Sequence, residues 1–334
     1  MTTGRPEMLG ELRRNIQPDG AYLDVGELRQ EMTQWAFPLH MIDFETTAVA
    51  LPFYAKMRPY EQVAFQFSHH IIEKDGDGYK IRHAGQYINT ERGKFPNFEF
   101  VRALKTELER DEGTVFRYAK HENTILNAVR RQLVESNEPD KDALIAFIDT
   151  ITNCSKEHRP GGPRDMVDLC DIVKRFFYHP SMKGSNSIKV VLPAVLNTSA
   201  FLQKKYSNPI YGREIPSLNI SADSPIAWIS RTSEGVVENP YKKLPSVADY
   251  ITDGFLPDRN DGDDDESTGS EIAINNGGAA LTAYSMLQFC GKDMVEPLKQ
   301  ALLRYCELDT MAMVFIWEYF MQACRETAGT VEKE

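Results

Sequence analysis

The sequence lacks the ties that hold small secreted folds together. Its five cysteines (154, 170, 290, 306, 324) are scattered over 334 residues. No two stand in C-x-x-C spacing, so neither a disulfide framework nor a cysteine zinc site is indicated. No apolar run approaches the roughly 20 residues a membrane helix needs. The start, MTTGRPEMLGELRRN, lacks the apolar stretch of a secretory signal. The expectation is a cytoplasmic protein with reduced thiols. Positive charge is in deficit, with 38 Lys and Arg against 49 Asp and Glu and a formal charge of −11. Such a chain is not built to coat nucleic acid non-specifically. It is compatible with an enzyme that grips one end of a nucleic acid locally, with metal ions supplying positive charge. Part of the negative excess lies in DGDDDE (261–266), which reads as a solvated loop. There is no internal repeat. Asn275-Asn276-Gly277-Gly278 is not followed by the Gly-Lys-Ser/Thr of a nucleotide-binding phosphate loop.

What is present suffices for a sizeable core: 42% of residues are apolar and 10% aromatic. Residues 24–35 read as a short helix and FPLHMIDFE (37–45) as a strand. RPYEQVAFQFSHHII (58–72) alternates as a half-buried strand, with Val63, Phe65, Phe67 and Ile71 on one face and Gln66, Ser68 and His70 on the other. His69 and His70 then face opposite sides, so strand packing or surface exposure is expected of them rather than a metal pair. Gly76 and Gly78 turn the chain into a third strand (79–88), completing an antiparallel meander. Residues 97–110 have helical spacing, 113–119 read as a short strand and 121–135 as a helix. Residues 166–177 run from strand towards helix, and 185–196 form a capped short helix.

Residues 206–278 are rich in Pro, Gly, Asn and Asp, with weak periodicity. A structureless loop of that length is unusual inside a domain. The segment reads as an insertion with some structure of its own and a disordered acidic tip near 258–270. Residues 277–289 and 296–324 are helical. The chain thus divides into an N-terminal helical lead-in (1–35), the first part of a core (36–205), the insertion (206–278) and C-terminal helices that complete the core (279–326). The order βββαβαβ followed by helices predicts an α/β fold. Its mixed sheet has three antiparallel strands, then parallel ones, flanked by helices.

Two short patterns carry the chemistry. In MIDFETT, Asp43 and Glu45 share one face of a strand, about 7 Å apart. Acids so placed repel one another and cost desolvation when buried, unless positive charge lies between them. In RYCELDTMAM, Tyr305 and Asp309 stand four apart on a helix and share one side.

In this order, on this element pattern, the sequence resembles the DEDD superfamily of 3′–5′ exonucleases on the RNase H-like fold. The phrases FPLHMIDFETT, RPYEQVAFQFSHH, NGGAALTAY and LLRYCELDTMAMV are similar to those of an uncharacterised bacterial family assigned to that superfamily. The resemblance runs from about 36 to 320. It is thin across 140–165 and 206–270. Tyr305 lies four residues before Asp309, while the position five before is Arg304, so the match is to the tyrosine branch.

The resemblance implies a metal-dependent exonuclease acting on DNA or RNA 3′ ends, with two Mg²⁺ or Mn²⁺ ions. Such ions favour carboxylate oxygens, and a pair of them can activate water and stabilise a leaving oxygen. Asp43 would bridge both ions; Glu45 and Asp309 would hold the nucleophile-side ion. Tyr305 would orient the attacking water, since a phenol with a pKa near 10 is a poor base. For the remaining acid, Glu122 in AKHENTIL is the best match and Asp168 in MVDLCD the substitute. Thr46, Phe53, Lys56, Arg58, His121 and Lys189 are the candidate substrate contacts, the aromatic for stacking and the cations for phosphate. A protein partner could bind through 206–278. The alternatives are a catalytically weak or inactive nucleic-acid-binding scaffold subunit on the same fold, or a nuclease subunit active only within a larger complex.

Overall fold

The computed structural model describes residues 19–244 and 277–331. A short strand β1 (Tyr22–Leu23) leads into helix α1 (Val25–Met32), whose N-terminus is capped by the Asp24 carboxylate accepting the Glu27 N–H at 3.1 Å. Three long strands follow: β2 (Leu39–Thr47), β3 (Val63–Asp75) and β4 (Gly78–Ile88). Then come α2 (Asn97–Leu108), β5 (Thr114–Arg117), α3 (His121–Glu135), α4 (Lys141–Ile151), β6 (Val167–Asp168) and α5 (Leu169–Phe176). Strand β7 (Phe177–Tyr178) pairs antiparallel with β1. Helices α6 (Ile188–Thr198), α7 (Ala200–Tyr206), α8 (Gly277–Leu287) and α9 (Lys292–Val331) complete the chain.

The main sheet has the order β4-β3-β2-β5-β6. β2–β3 and β3–β4 pair antiparallel, whereas β2–β5 and β5–β6 pair parallel. The expected α/β sheet of antiparallel strands followed by parallel ones, flanked by helices, is therefore present. Strand alternation divides β2 between two cores. Ile42 and Phe44 join α2, α3 and α4 on one face, and Met41 joins α5 through α9 on the other. Asp43 and Glu45 share the Met41 face, which α9 covers. Cys306 of α9 lies 3.5 Å from an Asp43 carboxylate oxygen.

Three expectations change. Phe65 and Phe67 do not share a face, because a β-bulge leaves Phe65 unpaired between Glu45↔Gln66 and Thr46↔Ala64. Phe65 stacks on Tyr284 of α8, with ring centroids 3.7 Å apart, while Phe67 packs edge-on to Phe100 of α2. Nor is β3 half-buried. Its polar residues Gln66, Ser68 and His70 are covered by α9, where His70 Nδ1 meets the Thr310 hydroxyl at 2.7 Å. His69 and His70 point to opposite sides, as alternation demands, and of strand packing and surface exposure both show packing. Helix α4, unread in the sequence, packs Leu144, Phe147, Ile148 and Ile151 into the core that contains residues of α2 and α3.

The segment read as an insertion is part of the main core over its described length. Tyr211, Trp228, Ile229, Val237 and Tyr241 are buried in the same cluster as α9. Its expected acidic tip lies outside the described residues. Among those residues no helix is long and apolar enough to cross a membrane, and the cysteines are all free thiols.

Candidate metal centre

Residues far apart in sequence line one cavity of about 280 Å³: Asp43, Glu45 and Thr46 from β2, His121 from α3, Lys189 from α6, and Tyr305 and Asp309 from α9. The local reasons are simple. Alternation sends Asp43 and Glu45 to one face of β2. A four-residue step puts Tyr305 and Asp309 on one side of α9. The Thr46 hydroxyl meets His121 Nε2 at 3.1 Å, tying the end of β2 to the start of α3.

Glu122, in the first turn of α3, is 1% exposed, and its Oε2 has no hydrogen-bond partner. Asp168 is differently employed. It accepts from Arg117 at 2.7 Å, from the Ala119 N–H at 2.9 Å and from the Cys170 N–H at 3.1 Å. It pins the turn before α3 and caps α5; neither it nor Glu122 is among the residues that line the cavity. Of the two candidates for the fourth acid, Glu122 is the one left unspent.

The electrostatics are those of charges crowded together. Burial pushes the pKa of Asp43 well up, and Asp309, Glu122 and Glu45 push it further. Burial, Asp309 and Glu122 raise Glu45 against the pull of Lys189. Burial also raises Glu122 and Asp309, the latter opposed by hydrogen bonds from Tyr241 and Tyr305 and by the charge of Lys189. Lys189 Nζ donates to the Tyr305 hydroxyl at 2.7 Å and lies over the Tyr305 and Tyr241 rings, 4.8 and 5.2 Å from their centroids. Burial holds the Tyr305 phenol far above its ordinary pKa, so it stays protonated.

Three nominated substrate contacts lie elsewhere. Phe53 packs against Tyr54, Tyr284 and Phe289 and lines a separate apolar hollow with Leu51 and Arg92. Lys56 is exposed, and Arg58 is a surface residue 4.0 Å from Glu135. None of the three lines the acid cavity, because the loop after β2 turns towards α8. Sequence reasoning missed Tyr118 and Ile188 in the lining, and above all Tyr241, whose hydroxyl donates to Asp309 Oδ1. Tyr241 sits in a stretch without periodicity, so nothing marked it.

The donor set fits a hard divalent cation. Single ligand atoms of Asp43, Glu45 and Cys306 all lie within 4.8 Å of one another. The Cys306 thiol donates to Asp43 Oδ2 at 3.5 Å, and hard divalent cations take oxygen ligands in preference to sulfur. The available ligands are then carboxylate oxygens, which suit Mg²⁺ or Mn²⁺. The partnerless Glu122 oxygen and the mutually repelling acids are what a cation would relieve.

A family model described as "Domain of unknown function (DUF2779)" matches residues 40–187. Neither a curated protein nor a solved structure matches the chain.

Proposed function

We propose that the protein is a metal-dependent 3′–5′ exonuclease of the tyrosine-bearing DEDD type, hydrolysing phosphodiester bonds of DNA or RNA. One observation carries this reading: Asp43 and Glu45 of β2 meet Asp309 of α9 in a single cavity, backed by the buried Glu122. The sheet order supports an RNase H-like assignment of the fold, since three antiparallel strands followed by two parallel ones place the first strand centrally. A nucleic-acid substrate fits a cytoplasmic location, and the 206–278 region is the face we assign to any protein partner.

Asp43, Glu45, Glu122 and Asp309 would hold Mg²⁺ or Mn²⁺, which would supply charge to activate water and stabilise the leaving oxygen. The chain's own groups position the rest. The Tyr305 oxygen accepts from Lys189 and its O–H is directed at Asp309, so it would turn to water or a phosphate oxygen only once a cation holds that carboxylate, and it removes no proton. His121, held on Thr46, offers a polar edge at the cavity wall.

The test is a 5′-labelled single strand, DNA and RNA in turn, incubated with Mg²⁺ or Mn²⁺. The expected result is a ladder shortening from the 3′ end, with Asp43→Asn slowing it by on the order of 10²–10³-fold. Absence of shortening, or shortening that survives Asp43→Asn, overturns the proposal.

A further inference from the structure

The acid cavity is lined by three carboxylates and one ammonium. Asp43 and Glu45 bring ligand atoms within 4.8 Å of each other and of Cys306. Asp309 is already engaged: Tyr241 donates to its Oδ1, and Lys189 sits beside both Tyr241 and Tyr305. Among the described residues, Lys189 is the only lysine or arginine in the cavity lining.

We propose that Lys189 is a built-in counter-cation to the acid cluster, so that the centre holds one divalent ion and one ammonium. The inference rests on reading the cavity as a divalent-cation phosphodiesterase site. It replaces the expected pair of ions with a single ion held by the acid cluster and the fixed charge of Lys189 beside it.

The position of Lys189 is built rather than incidental. Ile188 and Lys189, the first two residues of α6, both line the cavity. The ammonium is half-buried, donates to Tyr305 at 2.7 Å, and is cradled by two aromatic faces. A cation placed there neutralises part of the acid cluster without occupying a carboxylate ligand position of β2. A second divalent ion would meet an Asp309 whose Oδ1 already accepts from Tyr241, and would lie beside a like charge.

The count of Mn²⁺ ions bound by the full chain, measured by titration calorimetry with Mn²⁺ alone, tests this directly. Wild type is expected to bind one ion, lost in Asp43→Asn. Lys189→Met removes the ammonium and should admit a second ion, or tighten metal binding at least 10-fold. Lys189→Arg keeps the charge and should stay at one ion. Thermal melts followed by circular dichroism establish that each variant is folded. The wild-type count needs no variant, so a misfolded Lys189→Met leaves the test intact. Two ions of similar affinity in wild type overturn the inference, as does a folded Lys189→Met that binds metal as wild type does. If wild type binds two ions and still shortens oligonucleotides, the exonuclease reading stands and this one falls. If it binds none, both fall.

Discussion

Glu307 and Asp309 leave α9 two residues apart, about 200° around its axis, and enter two buried polar regions built in opposite ways. Glu307 enters a satisfied network. It accepts from Tyr211 at 2.5 Å, from Asn219 at 2.8 Å and from Ser217, and His83 Nδ1 lies 3.1 Å away. Burial alone would raise its pKa, but the hydrogen bond and charge of His83, with His70 and Ser217, overrule burial and hold it at about 2. Asp309 enters a cluster of acids, where burial raises its own pKa and its charge raises those of Asp43, Glu45 and Glu122. The same helix thus carries one carboxylate that stabilises the fold and one that strains it. Satisfied polar networks specify structure, whereas unsatisfied ones mark places where something else is to bind.

The sharpest way to break this contrast is to neutralise each side in the metal-free protein. Glu307→Gln should destabilise it by about 3–5 kcal/mol, because His83 loses its buried partner. Its loss of stability should be full at neutral pH. The native pKa lies below the ordinary 4.5, so the Glu307 contribution exists above 4.5 and disappears as pH falls from there towards about 2. Denaturant melts at several pH values measure this, and equal sensitivity at pH 3 and pH 7 would contradict it.

Divalent cation should close the gap from the other side. At 100 times its dissociation constant, Mn²⁺ should stabilise wild type by about 2.7 kcal/mol. Asp43→Asn should gain little. A Tm series in EDTA and in Mn²⁺ reads the difference.

Asp43→Asn should itself stabilise the metal-free chain, by about 1–3 kcal/mol at pH 8. Here the sign is reversed. The native pKa of Asp43 is raised, so its penalty is full above that pKa, shrinks as pH falls below it and is gone once pH drops under the ordinary 3.8. The advantage of the variant should therefore shrink on acidification. A gain that persists at pH 4 would place the carboxylate in a different environment.

The smallest effect is expected of Tyr241→Phe. It removes the hydroxyl on Asp309 and should change metal-free stability by about 1 kcal/mol. The same calorimetry should show Mn²⁺ binding retained, since Asp43 and Glu45 are untouched.

Period and motif spacing made the sheet, its helices and the acids on β2 and α9 legible, because those elements bury one face and repeat. The bulge at Phe65 was not legible, since one unpaired residue changes parity without changing composition. The buried histidines of β3 looked like an outer face because alternation reports which side a residue takes, and not whether a helix such as α9 lies over it. The stretch after α7 hid its role for a related reason. It is anchored by isolated aromatics, Tyr211, Trp228 and Tyr241, rather than by a repeating apolar face. It nonetheless supplies Tyr211, Ser217 and Asn219 to Glu307, and Tyr241 to Asp309.

Helix α9 runs unbroken for 40 residues past both carboxylates. Gaining or losing one residue between Leu298 and Asp309 would swing Asp309 by about 100° relative to the preceding turns, taking it away from Asp43 and Glu45 while Glu307 also left its partners. Descendants of this sequence are therefore free to lengthen their surface loops, but not to stutter in this rod.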